Sequence, residues 1–128
     1  MTSSPIIPVS WGELLDKITI LQIKKERIAD AAKRVNVVTE LEALCAIAEA
    51  AMRQAAALLA ELKQVNEALW EIEDHIRDKE RAGEFDARFI ELARAVYVTN
   101  DRRAGLKREI NRQLGSVLVE EKSYKPYA

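Results

Sequence analysis

Between Thr39 and Ala82 the chain has neither proline nor glycine, and its apolar residues recur at intervals of three and four without a gap. The seam runs Leu41, Leu44, Ala48, Ala51, Ala55 and Leu58, then Leu62, Val65, Leu69, Ile72 and Ile76. That is the heptad spacing of a coiled coil, and it predicts one helix over 39–82. Such a helix is a rod of roughly 65 Å. A bare seam of that length is not stable in water, so flanking helices or a second chain must cover it.

The flanking sequence supplies two further helices. Pro5 and Pro8 hold the start of the chain extended, and Ser10 with Glu13 forms a capping box that opens a helix over 10–34. Its apolar stripe is Trp11, Leu14, Ile18, Leu21, Ile28 and Ala32. Ile20 and Ile23 form a second ridge on the opposite side, beside Asp16 and Arg27, which calls for cover by the C-terminal tail or another subunit. Positions 34–38 read as a connector, and Thr39 with Glu42 as a second capping box. Gly83 ends the rod, and a third helix follows over 85–114, with Gly115 as a left-handed cap. Its seam of Phe85, Phe89, Leu92 and Val96 turns polar at Thr99 and Arg103, then resumes at Leu106 and Ile110. A tail over 116–128 completes the chain.

These elements predict a single all-α domain: an elongated antiparallel three-helix bundle with a long coiled-coil-like hairpin arm. Short connections place Trp11 near Leu62, with Gly105 close to both, a small-to-large match. In that register the first helix covers half of the rod and leaves 64–103 as a bare two-helix arm. Trp70, Ile72, Phe89 and Tyr97 are then expected at the interface of a homodimer.

Composition narrows the partners. Of 128 residues, 32% are charged, above the roughly 25% of ordinary globular chains, and 5% are aromatic, a balance that suits helical rods. Twenty basic and twenty-one acidic residues leave a net charge of −1, which offers no field for a nucleic-acid backbone. No stretch has the apolar length of a membrane span and the opening lacks a secretory signal's pattern, so a cytoplasmic protein without membrane insertion is expected. A lone Cys45 offers neither a disulfide nor a paired metal ligand, and a lone His75 at the arm offers no triad. No cofactor and no metal are expected, and the missing catalytic equipment favours a non-enzymatic interaction or scaffold protein.

One polar constellation stands out. Arg103 interrupts an apolar seam, and the register brings it near Lys17, Glu13, Glu61, Lys107 and Asn111. An arginine there needs carboxylates or a bound anion. Glu13 and Glu61 as structural partners give one reading. Lys17, Arg103, Lys107 and Asn111 holding a carboxylate or phosphate give the other. Lys25 is read as a structural ion pair with Glu49, Glu120 or Glu121 that pins the tail, with Tyr124 and Tyr127 over Ile20 and Ile23.

The opening run from Val9 to Lys24 and the closing Glu121, Lys122, Ser123 and Tyr124 resemble a family of short bacterial and phage proteins with no assigned activity. The resemblance spans nearly the whole chain. Gly12, Glu13, Asp16 and Lys17 match its opening motif, and Lys122 and Tyr124 its closing one. It implies an occasional association with surface-polysaccharide assembly. Asp16 and Arg27 in the first helix also resemble the all-helical chorismate mutases, which would imply a dicarboxylate held by basic side chains in a helical dimer. The chain departs from that pattern in the aspartate-to-arginine spacing, in lacking a lysine after the first helix, and in having its longest helix second.

Overall fold

A computed structural model describes residues 4–128 and shows four helices, with no strand among the described residues. They are α1 (Trp11–Arg27), α2 (Ala31–Gln54), α3 (Ala56–Ala82) and α4 (Ala87–Leu114). The expected rod over 39–82 is therefore two helices, whose axes diverge by 116° at Ala55. Ala55 leaves helical geometry (φ −106°, ψ 30°) while its amide still bonds Ala51 O at 2.9 Å. No proline or glycine marks the corner. Gln113 of α4 donates to the Gln54 carbonyl at 2.9 Å, which satisfies an acceptor at the bend.

The seam itself faces inward as expected. Leu41, Ala48, Ala51, Ala55, Leu62 and Val65 are buried, and Leu44, Leu58, Leu69, Ile72 and Ile76 are half-buried. What differs is the object it covers. Folded at Ala55, the two halves of the seam close on α1 from different sides, so α1 is the central helix and not a partial cover. Leu15, Ile18 and Leu21 of α1 pack in one core with Val37 and Leu41 of α2, Leu62 of α3 and Ile110 of α4. The second ridge of α1 meets the α3–α4 hairpin, so Ile23 and Asp16 are buried inside one chain without need of a second subunit.

The first connection also moves. Ser10 caps α1 as predicted, its Oγ accepting from Glu13 N at 3.1 Å. The helix then stops at Ile28, which turns extended (φ −79°, ψ 121°), and Asp30 starts α2 by accepting from Lys33 N at 2.9 Å. The predicted connector at 34–38 is helical, and Thr39 is no cap: its hydroxyl donates to Val35 O at 2.8 Å within α2. Local capping by Asp30, reinforced by Arg34 Nε donating to Lys25 O at 3.1 Å, outcompetes the capping box at Thr39.

The α3–α4 hairpin follows the sequence closely. Gly83 (φ 68°) and Gly115 (φ 66°) both close their helices in the left-handed conformation, and Asp86 caps α4 by accepting from Phe89 N at 3.0 Å. Gly105 does not pack on Trp11 and Leu62, because no atom lies within 4 Å of where its Cβ would stand. The tight approach belongs to Gly12, whose missing Cβ would meet the Lys107 carbonyl oxygen at 2.5 Å.

Candidate functional site

The polar constellation of α4 is real, and its centre is Asp16. Asp16 lies on the ridge of α1 that faces the hairpin and is 1% exposed. Its Oδ1 accepts from Asn66 Nδ2 of α3 and Arg103 Nε of α4, both at 2.9 Å, and its Oδ2 accepts from Arg103 Nη2. Lys107 Nζ stands 4.0 Å from Oδ2. Asn66 Nδ2 also donates to Thr19 Oγ1 at 2.8 Å, and that hydroxyl donates to the Asp16 carbonyl at 2.8 Å. One carboxylate thus ties α1, α3 and α4 together through a two-pronged guanidinium bond, the strong geometry for this pair.

Lys107, buried one turn further along α4, is held by two more acids. Its ammonium donates to Glu13 Oε2 of α1 and to Glu120 Oε2 of the tail, each at 2.9 Å. Burial alone would lower the lysine pKa, but the hydrogen bonds to Glu120 and Glu13 outweigh it and the pKa is raised. Hydrogen bonding to Lys107, and then to Lys122 at 3.2 Å, holds the Glu120 carboxyl down at about 2. Arg103 is raised by its bond to Asp16. Every cation of the cluster already faces a carboxylate of this chain, and no buried side-chain polar atom among the described residues lacks a partner.

Asn111 has a different task. Its Oδ1 accepts from Gly12 N at 2.7 Å and from Ser116 Oγ at 3.1 Å, while Ser116 Oγ accepts from Trp11 N at 2.8 Å. The free amides of the first turn of α1 are thereby satisfied by α4 and the residue just past its cap. Gly12 permits this because a side chain there would strike the α4 backbone.

Of the four residues expected to hold an anion, the structure brings Arg103, Lys107 and Asn111 together and sends Lys17 elsewhere. Lys17 projects from the other face of α1 and pairs with Glu40 of α2 at 2.8 Å. The voids beside Lys107 and Arg103 measure about 10 and 20 Å³, room for one water each and not for a carboxylate ligand. Glu13 is an ion-pair residue as expected, though with Lys107. Glu61 is exposed and joins no ion pair among the described residues. Lys25 is exposed too, and its expected partners are engaged elsewhere, Glu49 with Arg53 and Glu120 with Lys107. Both misplacements follow from the straight rod, since the bend at Ala55 changes which residues face α1.

At the expected interface, Trp70 is half-buried with the Arg27 guanidinium 6.0 Å above its ring, and Ile72 is half-buried. Phe89 packs edge-on against Phe85 at 5.2 Å, and Tyr97 lies 5.1 Å from Tyr127. Tyr127 therefore covers Tyr97 and not Ile20 or Ile23. His75 is exposed on the arm, about two turns before its tip, and no three metal-ligating side chains converge among the described residues. Asp16 and Arg27 serve separate ends of α1, Arg27 pairing with Glu71 at 3.4 Å and Glu67 at 4.0 Å.

Sequence reasoning missed Asp16 and Asn66 as the keystone. A signal existed: Asp16, Thr19 and Ile23 stand at helical spacing on one ridge, and Asn66 adjoins Val65 of the seam. An acid on an apolar ridge of α1 was as clear a request for a partner as Arg103 in α4.

The geometry defines a four-helix protein whose interior is locked by a self-neutralised ionic cluster, with a two-helix arm extending from it. By sequence the chain belongs to a family of unknown function (DUF6165), whose pattern matches residues 6–127. No curated protein and no solved structure matches it. No single helix among the described residues is long and apolar enough to cross a membrane; the bent pair α2 and α3 meets that test only jointly, and it wraps α1.

Proposed function

We propose that this chain is a non-enzymatic interaction module that works in the cytoplasm as a homodimer joined through its arm. The observation that carries the reading is an apolar stripe on the outer side of the hairpin. Ile90 and Val98 of α4 are 56% and 47% exposed, eight residues apart and so on one helix face, and Phe85 at the tip is 60% exposed. Past Trp70 the hairpin is two helices thick, and a second copy supplies the missing layer as in four-helix bundles. Charge does not oppose it: over 72–99 seven acidic residues accompany five basic ones, interspersed along both helices.

The rest of the molecule suits a scaffold. Its charged interior is spent on holding α1, α3 and α4 in place and leaves no space between them for a reacting molecule. Light scattering at tens of micromolar is expected to report twice the 14.5 kDa chain mass. Ile90→Asp with Val98→Asp is expected to give a folded monomer. A monomeric parent protein refutes the proposal.

A further inference from the structure

A groove of about 600 Å³ lies between α4 and the tail, on the solvent side of the ionic cluster. That is the size of a small-molecule site. Its α4 wall carries Tyr97, Asp101, Gly105 and Arg108; its tail wall carries Lys122, Tyr124, Lys125 and Tyr127. Cations outnumber the one acid three to one. Lys122 shares itself between Glu120 at 3.2 Å and the Tyr124 ring at 5.3 Å, while neither Arg108 nor Lys125 has a carboxylate within 4.0 Å among the described residues.

Gly105 is the second, independent observation. It stands inside α4 at ordinary helical geometry, where glycine weakens a helix relative to alanine. The usual structural reason for a helical glycine, a close neighbour, is missing, because nothing lies within 4 Å of its absent Cβ. The space that it leaves open is the floor of the groove. Gly12, which has such a neighbour, shows the contrast within the same chain.

We infer that this groove binds a nucleotide, the base lying on the tyrosine rings over Gly105 and the phosphates meeting Arg108 and Lys125. Flat aromatic faces take a base irrespective of its edge pattern, and an unpaired guanidinium and ammonium take phosphate oxygens. The tail forms one wall, so the Lys107 to Glu120 bond, which fastens the tail to α4, shapes the site from outside it. The inference is independent of the dimer.

The test is calorimetry and thermal unfolding with ADP, UDP, adenosine and inorganic phosphate, each up to about 5 mM, since a ligand of the native state raises the midpoint. ADP or UDP is expected to bind and to raise the midpoint, and adenosine and phosphate to do so more weakly. Gly105→Leu, which fills the floor with a good helix former, is expected to keep the fold and weaken nucleotide binding by about tenfold or more. Arg108→Gln with Lys125→Gln is expected to abolish the advantage of ADP over adenosine. No binding of either nucleotide, equal response to phosphate alone, or undiminished binding by a folded Gly105→Leu protein overturns the inference.

Discussion

Gly12→Ala puts the close approach of α1 and α4 to a direct test. The added Cβ would stand 2.5 Å from Lys107 O, 2.9 Å from Asn111 Oδ1 and 3.1 Å from Lys107 C, where ordinary contact begins at 3.4 Å. Two of those atoms are backbone in a helix fixed on both sides, so the strain is relieved only by moving α1 away from α4. Overpacking of this kind costs about 1–3 kcal/mol. The movement also stretches the 2.7 Å bond from Gly12 N to Asn111, worth about 1 kcal/mol. Against this stands the better helix propensity of alanine, at most about 1 kcal/mol. The net expectation is a loss of about 2 kcal/mol, or a midpoint lower by about 8 °C for a domain of this size. Circular dichroism melts of the parent, Gly12→Ala and Gly105→Ala measure it. The second variant is the control, because its Cβ meets nothing and its midpoint should rise by about 4 °C. If Gly12→Ala melts at or above the parent temperature, the close approach does not exist as described.

Two further predictions concern the ionic cluster. Asp16→Ala leaves Arg103 without its carboxylate and is expected to cost about 3 kcal/mol in denaturant unfolding, whereas Asp16→Leu combined with Arg103→Met should cost less than that single change; equal or greater loss in the double variant refutes the pairing. For Glu120 the folded-state pKa is depressed to about 2 from 4.5, so its contribution is complete above pH 4.5 and is lost as pH falls toward 2. In NMR relaxation the backbone of 117–124 should become more mobile as the pH falls through that window in the parent, and in Glu120→Gln it should be mobile already at neutral pH. A parent tail whose mobility ignores acid contradicts the Lys107 contact.

The apolar seam was legible in full, and so were both left-handed glycine caps and the Ser10 cap, because each is a local pattern with a local cause. The bend at Ala55 left no such trace. Alanine forms helix well, the spacing of three and four runs straight through it, and the chain turns there because α1 is the better object for both halves to bury. A straight rod puts α1 at the edge, leaves its second ridge to the tail or another subunit, and gives Lys17, Lys25 and Glu61 neighbours that the bend removes; the shifted first connection has its own cause in the Asp30 cap. That Arg103 needs a counter-charge is legible because a cation in a seam demands one whatever the register, but its partner is Asp16 and not the expected Glu13 or Glu61. Asn66 stayed hidden because an amide beside a seam makes no comparable demand.

The salt bridge at the heart of the molecule joins residues 87 positions apart. As the polypeptide emerges during synthesis, α1 and α2 are available to pair at once, but Asp16, on the side of α1 that awaits the hairpin, has no counter-ion until α4 has been made. Early collapse therefore leaves one flank of α1 wet and charged, and only arrival of the late segment seals it. Distant closure of this sort slows folding and makes it more nearly all-or-none, so the nascent form of this chain is the state in which chaperones would find most to hold.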